Sequence, residues 1–531
     1  MTAHANDKQI VQRRIGFGAL RRIGQPTFLQ ATVATIVVIL VLGALRLFDP
    51  FSGDQALFLV AAEKLHAGGV LYRDFWDIKQ PGIFAFFLGG GLLSGFTQFG
   101  LHEVDLIWEL VFSIVLVLGL RESFEDRRWA AFAPLAIVGA YFTGSSSWHL
   151  LQVEGLVGLP LFCTTWFAIA ALKSVRHRRT LAGLSGAAAG VAILFKLLFA
   201  GVVVATAFAI GAFAFRQDRR IPVLELAAGW CVGVLIPLAA FGSYVVHFGL
   251  LHEVVTTFFV LPLSISASPV HAPTSRLVDS ALRFALYFRG IIFLAIIGIV
   301  LVRDGRTRLW RLGSVVWLVS AAVTILVQEE SWWQYQFLLL LPPMGILATF
   351  GTAALAGRVW TTGRRGFAWL ALCGVAAYIA VPLPQAGIDT ARRIFGERPY
   401  ASPTALERYR AASSVEYAQA ERDAAFLKHA NNDARDIYVF GNPLIYVLTG
   451  RGQALGINGW ALHLYTPKVW ERLNVQLLAA APPYVFVLQG YDKGLIPDRS
   501  PRTAALLVTN YAAIQATSDG TWFRHRNKVE P

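Results

Sequence analysis

Long apolar runs alternate with short polar connections through the first three quarters of the chain, and then the pattern stops. The runs lie at about residues 29–48, 103–120, 129–145, 155–172, 180–215, 222–247, 281–302, 309–327, 335–355 and 367–384. A run of roughly 17–25 apolar residues matches the hydrocarbon thickness of a bilayer when it is helical. The run 180–215 is 36 residues long and carries Lys196 near its middle. At about 1.5 Å of rise per residue it predicts two short crossings joined by a tight turn. The pattern therefore predicts about eleven transmembrane helices.

The connections alternate in charge. Those at 8–22, 121–128, 173–179, 216–220, 303–311 and 358–365 hold 22 Lys and Arg, whereas those at 49–102, 145–154, around 196, 248–280 and 328–334 hold five. Basic connections stay in the cytoplasm, so the first set is placed inside and the second outside. This predicts a cytoplasmic N-terminus, a C-terminal part outside, and a plasma (bacterial inner) membrane location. The N-terminal basic stretch precedes a run too long for a signal-peptide core, which predicts a retained first span. Residues 83–101 (IFAFFLGGGLLSGFTQFGL) are apolar enough to cross, but a crossing there would invert the charge bias that follows. They are read as a helix lying on or dipping into the outer leaflet, with Gly89, Gly90 and Gly91 unsuited to an ordinary spanning helix.

Composition supports the same class. The chain has 531 residues, 55% hydrophobic and 15% charged, with mean hydropathy +0.53. That exceeds what a soluble domain carries, and the short alternating segments of a β-barrel are absent. The net charge of +14 is carried largely by the connecting clusters, so it implies no nucleic-acid partner. Cys163, Cys231 and Cys373 sit inside apolar runs and imply neither a disulfide framework nor a zinc site.

After Pro384 the charge rises and no long apolar run remains. Residues 404–430 have helical periodicity, 436–441 (DIYVFG) and 484–489 (YVFVLQ) read as buried strands, and 522–526 as a further edge strand. The fold class predicted is mainly α: a polytopic helical bundle over 1–384, with an outer loop at 49–101, and a small extracytoplasmic α/β domain over 385–531.

Chemistry-bearing residues gather at the outer mouths. The segment 49–82 (DPFSGDQALFLVAAEKLHAGGVLYRDFWDIKQPG) is charged within an apolar context. Ser52 can cap a helix from Gly53 to Ala67, closed by Gly68 and Gly69. Asp54 then lies in its first turn, where the helix dipole favours a carboxylate. Asp54 is either a carboxylate placed for chemistry or a dipole-favoured helix-start acid. Tyr72–Gly82 (YRDFWDIKQPG) reads either as an interfacial anchor or as a phosphate site supplied by Arg73 and Lys79. Glu154 opens the fourth span, and His149 precedes it. Lys196 stands at the outer turn, and Tyr335-Gln336 precede FLLLLPP at another outer mouth. Each has a plainer reading as helix-start acid, interfacial histidine, snorkelling lysine or aromatic belt.

Taken in order, these residues resemble the GT-C superfamily of lipid-linked-sugar-dependent glycosyltransferases. The branch is that of the protein O-mannosyltransferases and the lipid A aminoarabinose and galacturonic acid transferases. Asp54 matches the acid that begins the family's first outer loop. Lys79-Gln-Pro81 matches its Lys-Pro-Pro-like element with a glutamine substituted. Glu154, Lys196 and the Tyr335-Gln336 segment match three further positions. The family's Asp-Glu pair is Asp54-Gln55 here, and its frequent histidine near Tyr335 is a glutamine.

The resemblance implies inverting transfer of a hexose or pentose from a polyprenyl-phosphate donor to a lipid, glycan or protein acceptor outside the cytoplasm. Asp54 is expected to act as general base on the acceptor hydroxyl or to orient it, and Glu154, the second catalytic residue, to support the acceptor or share that role. Arg73, Lys79, Lys196, Tyr335 and Gln336 are expected to bind substrate. No compact ligand cluster is visible, so no metal and no cofactor are assigned. The rival readings are a transporter or flippase for a lipid-linked glycan and a non-catalytic glycan-binding scaffold. A transporter predicts charged or broken helices near mid-membrane.

Overall fold

A computed structural model describes residues 27–218, 221–266, 272–361, 382–429 and 436–526. The N-terminal basic cluster, Cys373 and most of the eleventh predicted span lie outside the described residues. Helix α1 (Phe28–Ala44) turns Leu29, Val33, Val37 and Val41 outward, the exposed apolar stripe that a lipid-facing helix presents. A long connecting segment follows. It holds α2 (Gly53–His66) and α3 (Pro81–Ser94), and it leads into α4 (Gln98–Leu120). Segment 127–144 alternates 3-10, α and π turns instead of forming one helix. The bundle continues with α5 (Gly158–Lys173), α6 (Arg178–Phe195), α7 (Phe199–Gln217), α8 (Val223–His247), α9 (Thr274–Leu301), α10 (Arg308–Leu326) and α11 (Leu341–Thr361).

Among the described residues, six helices are long and apolar enough to cross a membrane. They occupy 153–173, 199–217, 223–247, 274–301, 305–326 and 334–358. The expected total of eleven is therefore not reproduced by length and composition. Helix α1 is apolar but only 17 residues long, α4 carries Glu103, Asp105 and Glu109, and the third predicted crossing is the broken segment 127–144. The turn predicted at Lys196 is present between α6 and α7.

Residues 83–101 do not form one helix. Helix α3 ends at Ser94, Gly95 takes φ +88°, and α4 starts at Gln98 under a Thr97 cap. Gly89, Gly90 and Gly91 lie within α3 and do not break it, because neighbouring elements fix its backbone. At about 1.5 Å per residue, its 14 residues reach only part way across a bilayer.

Small residues let the bundle close. A Cβ on Gly186 would run into the Trp230 carbonyl between α6 and α8, and one on Gly298 into the Leu347 carbonyl between α9 and α11. Lipid supplies no hydrophobic drive between helices, so backbone approach of this kind has to supply the contact.

Beyond the bundle, α12 (Pro382–Glu397) runs across the predicted boundary at 384. The stretch 404–430 is two helices, α13 (Pro403–Ser413) and α14 (Val415–His429), separated at Ser414. The sheet holds β1 (Tyr438–Phe440), β2 (Tyr484–Leu488), β3 (Tyr511–Ala516) and β4 (Gly520–His525), in the order β1-β2-β4-β3. The β1–β2 pair is parallel and the rest antiparallel. Both predicted buried strands are present. The C-terminal strand is not an edge: β4 pairs on both sides, and β3, which the sequence pattern missed, forms the edge. Only Tyr511 of β3 is buried, so no apolar alternation announced it.

Candidate active site

The start of α2 sets the site. Ser52 takes the N-cap position, and Gln55 accepts the Ser52 backbone N–H at 2.7 Å. The Gln55 amide turns the other way and donates to the carbonyls of Ser147 (2.9 Å) and Leu150 (2.6 Å). Gln55 is fully buried, so these acceptors need a donor from it. A glutamate, the residue the family resemblance leads one to expect, would face two carbonyl oxygens with an acceptor. This gives a structural reason for glutamine at position 55. The same bonds tie α2 to the loop that delivers Glu154.

Asp54, next in the turn, points to two donors. The Lys79 ammonium lies 3.3 Å from its Oδ1, and the indole N–H of Trp460 donates to the same oxygen at 2.9 Å. Lys79 arrives on the Asp77–Gly82 turn, where Asp77 Oδ1 accepts the Lys79 backbone N–H at 2.9 Å and sits 3.8 Å from its Nζ. Pro81 opens α3, its fixed φ suited to a first helical position. Gly82 packs so tightly on the Leu194–Phe195 backbone that a Cβ would collide at 2.7 Å. That approach carries Lys79 up to the end of α6, immediately before Lys196. Burial works against the Lys79 charge, but Asp54, Asp77 and Glu154 outweigh it and hold Lys79 above the ordinary lysine range.

Lys196 makes the second pair. Its Nζ lies 2.8 Å from Glu154, a residue only 2% exposed, and also donates to Gln328 Oε1. Gln336 donates to the same Gln328 oxygen at 3.1 Å and to Ser331 Oγ at 2.8 Å. Tyr335 joins the two pairs, interacting electrostatically with both Asp54 and Glu154. Its ring meets Trp148 edge-on at 6.0 Å. His149 is pushed down to about 3 by burial and the Arg46 charge, so it is neutral, and it contacts Ser146 at 3.1 Å.

Six of the seven sequence-predicted residues thus come together: Asp54, Glu154, Lys79, Lys196, Tyr335 and Gln336. Arg73 does not. It pairs with Asp74 at 3.0 Å, lies 6.0 Å from the Phe248 ring, and lines a separate hollow of about 580 Å³ with Lys64 and Gln476. Its place in sequence beside Lys79 was misleading because the chain reverses at Tyr72, where φ is +72°.

Four contributors escaped the sequence reading: Trp460, Glu416, Asn458 and Gln328. Glu416, at the start of α14, accepts the Gly53 backbone N–H at 3.0 Å and the Asn442 amide at 2.9 Å. Asn458 donates to Asp77 Oδ2 at 2.9 Å. Three of the four come from the C-terminal part, hundreds of positions from Asp54, and no local pattern links them to it. Among the described residues no group of three or more His, Cys, Asp or Glu side chains converges to hold a metal ion.

No protein-family model and no curated protein sequence matches the chain. Solved structures do. ArnT from Cupriavidus metallidurans bound to undecaprenyl phosphate superposes with a TM-score of 0.59 at 14% identity, over 92% of this chain and 97% of that one. Its apo state gives 0.59 at 15% identity over the same shares. The oligosaccharyltransferase AglB from Archaeoglobus fulgidus is less similar, with a TM-score of 0.47 at 11% identity over 94% of this chain and 75% of its own. The fold of this chain, bundle and C-terminal part together, is that of ArnT.

Proposed function

We propose that this protein is an integral-membrane glycosyltransferase that moves a sugar from a polyprenyl-phosphate donor to a hydroxyl acceptor outside the cytoplasm, with inversion. The observation that carries the reading is the paired arrangement Asp54–Lys79 and Glu154–Lys196, set on the fold of ArnT. ArnT with this fold is described as bound to undecaprenyl phosphate, and that ligand class is the one proposed here.

The chemistry follows from charge. In transfer, the acceptor oxygen attacks the anomeric carbon, its proton passes to Asp54, and the bond from that carbon to the phosphate oxygen breaks. The donor phosphodiester, singly negative, becomes a phosphomonoester that carries more negative charge. Cations in place before that charge develops lower the barrier. Lys79 and Lys196 are the two such cations, and each is held in place by a carboxylate. Glu154 keeps Lys196 in place and supports the acceptor. An apolar hollow of about 950 Å³, lined by Val204, Phe208, Phe215, Leu224 and Trp230, lies further along α7 and α8 and suits prenyl or acyl chain.

One observation favours transport. Asp105 and Glu109 are buried in α4, and segment 127–144 is irregular. A local role accounts for part of this. The Tyr141 hydroxyl donates to Asp105 at 3.2 Å and accepts the N–H of Leu151, whose φ is +58°. The buried acid thereby helps fix the strained loop that carries Glu154.

The test uses purified protein in liposomes with a panel of undecaprenyl-phosphate-linked hexoses, pentoses and uronic acids, and a membrane lipid extract as acceptor. Release of undecaprenyl phosphate is the readout, because it forms whatever the acceptor. The wild type is expected to release it and Asp54→Asn to fold normally but release almost none. Full activity in Asp54→Asn rules out the base assignment, and translocation of intact donor without release supports transport.

A further inference from the structure

We propose that Trp460, delivered by the outer domain, is the positioning residue for Asp54. Its indole N–H and the Lys79 ammonium together set the carboxylate for proton transfer. This rests on the reading of Asp54 as the general base.

The two donors meet on one atom. Trp460 Nε1 is 2.9 Å and Lys79 Nζ 3.3 Å from Asp54 Oδ1. One donor belongs to the outer loop of the bundle and the other lies 406 positions away in sequence. A carboxylate held on one oxygen by two donors has its plane and rotation fixed.

The loop that carries Trp460 is built to hold it there. Asn458 accepts the Trp460 backbone N–H at 2.9 Å, while its amide donates to the Trp76 carbonyl at 3.0 Å and to Asp77 Oδ2 at 2.9 Å. Asp77 in turn accepts the Lys79 N–H, so one asparagine registers both donors against each other. Tyr465 donates to the Asn458 carbonyl at 2.8 Å. Gly459 lies against the Val439 carbonyl with no room for a Cβ, and Ala461, directly after Trp460, is held at φ +54°. A non-glycine residue in the left-handed region costs energy, and such strain concentrates where geometry is needed. On the opposite side, Gly53 is bare. A Cβ there would meet the Trp460 ring at 2.5 Å. The sequence therefore leaves a gap beside Asp54 of the shape that the indole fills.

The outer domain thus completes the site. Its indole N–H is spent on Asp54, so Trp460 acts through that carboxylate.

The experiment compares wild type, Trp460→Phe and Asp54→Asn in the liposome assay. Phenylalanine keeps an aromatic ring over Gly53 and loses the N–H. In Trp460→Phe, kcat is expected to fall about tenfold or more, the usual range for loss of a hydrogen bond to a charged group. KM for the donor should stay unchanged, so that the loss falls on kcat alone. Affinity for undecaprenyl phosphate should not change, because Lys79 and Lys196 remain. A merely structural role would lower the thermal stability and raise KM along with any loss of kcat. Should Trp460→Phe fold poorly, the benzothiophene isostere of tryptophan at 460, sulfur in place of N–H, decides the question with the shape kept. Wild-type kcat in either substitution overturns the proposal if Asp54→Asn is inactive. If Asp54→Asn is itself active, the base reading fails instead.

Discussion

Lys196 and Glu154 form a 2.8 Å ion pair between two helix ends that are 42 positions apart, with the carboxylate almost wholly enclosed. Breaking one side of such a pair leaves an uncompensated charge in a poor solvent for it, which costs about 3–5 kcal/mol. Lys196→Met should therefore lower stability strongly. Adding Glu154→Gln should restore much of it, because the orphaned charge is removed. Thermal unfolding of the two single variants and the double variant in detergent gives the coupling. Additive losses would mean that the pair contributes nothing as a pair.

Lys79 is the cation tied to Asp54, and its charge persists through neutral and mildly alkaline pH because the surrounding carboxylates raise it. Lys79→Ala should weaken binding of undecaprenyl phosphate at least about tenfold, the scale of a charge-assisted contact. Binding of uncharged undecaprenol should be unaffected. Equal losses for both ligands in a direct binding titration would remove Lys79 from the phosphate role.

Gln55 bridges two carbonyls that a carboxylate would repel. Gln55→Glu should cost about 1–3 kcal/mol, the range for a buried group left without its donor. The introduced side chain is buried, so its folded-state value is raised. The added loss therefore appears as pH climbs above the ordinary glutamate value and saturates above the folded one. Unfolding midpoints across pH would show it, and a pH-independent loss would contradict the argument.

Glu416 is raised by burial, against the opposing Gly53 N–H and Asn442 amide. A carboxyl raised on folding is favoured in its protonated form, so its ionisation costs stability as pH rises from its unfolded value of about 4.3 through its folded one. Glu416→Gln keeps the acceptor for Gly53 and Asn442 without the charge. It should match wild type at acid pH and exceed it at neutral pH. An equal or lower unfolding midpoint at neutral pH would show that the charge itself is wanted there.

Much of the fold was legible along the chain. The bilayer-length runs, the turn at Lys196, the helix capped near Ser52, and both buried strands follow from periods and caps that act over a few residues. The failures are equally physical. The break at Gly95 lies inside an unbroken apolar run, so hydropathy passes over it. Strand β3 is exposed along most of its length, and β4 gained its second partner from it. Arg73 was grouped with Lys79 by proximity in sequence, which a reversal at Tyr72 undid.

By itself the sequence determined which residues could carry charge between the apolar runs and which runs could lie in lipid, because both depend on local side-chain chemistry. Only the tertiary structure decided which charges meet. Gln55 reaching the 147–150 carbonyls, Gly82 packing on Leu194–Phe195, and Trp460 descending on Asp54 are contacts between distant segments, settled by shape and by the need to satisfy buried polar groups.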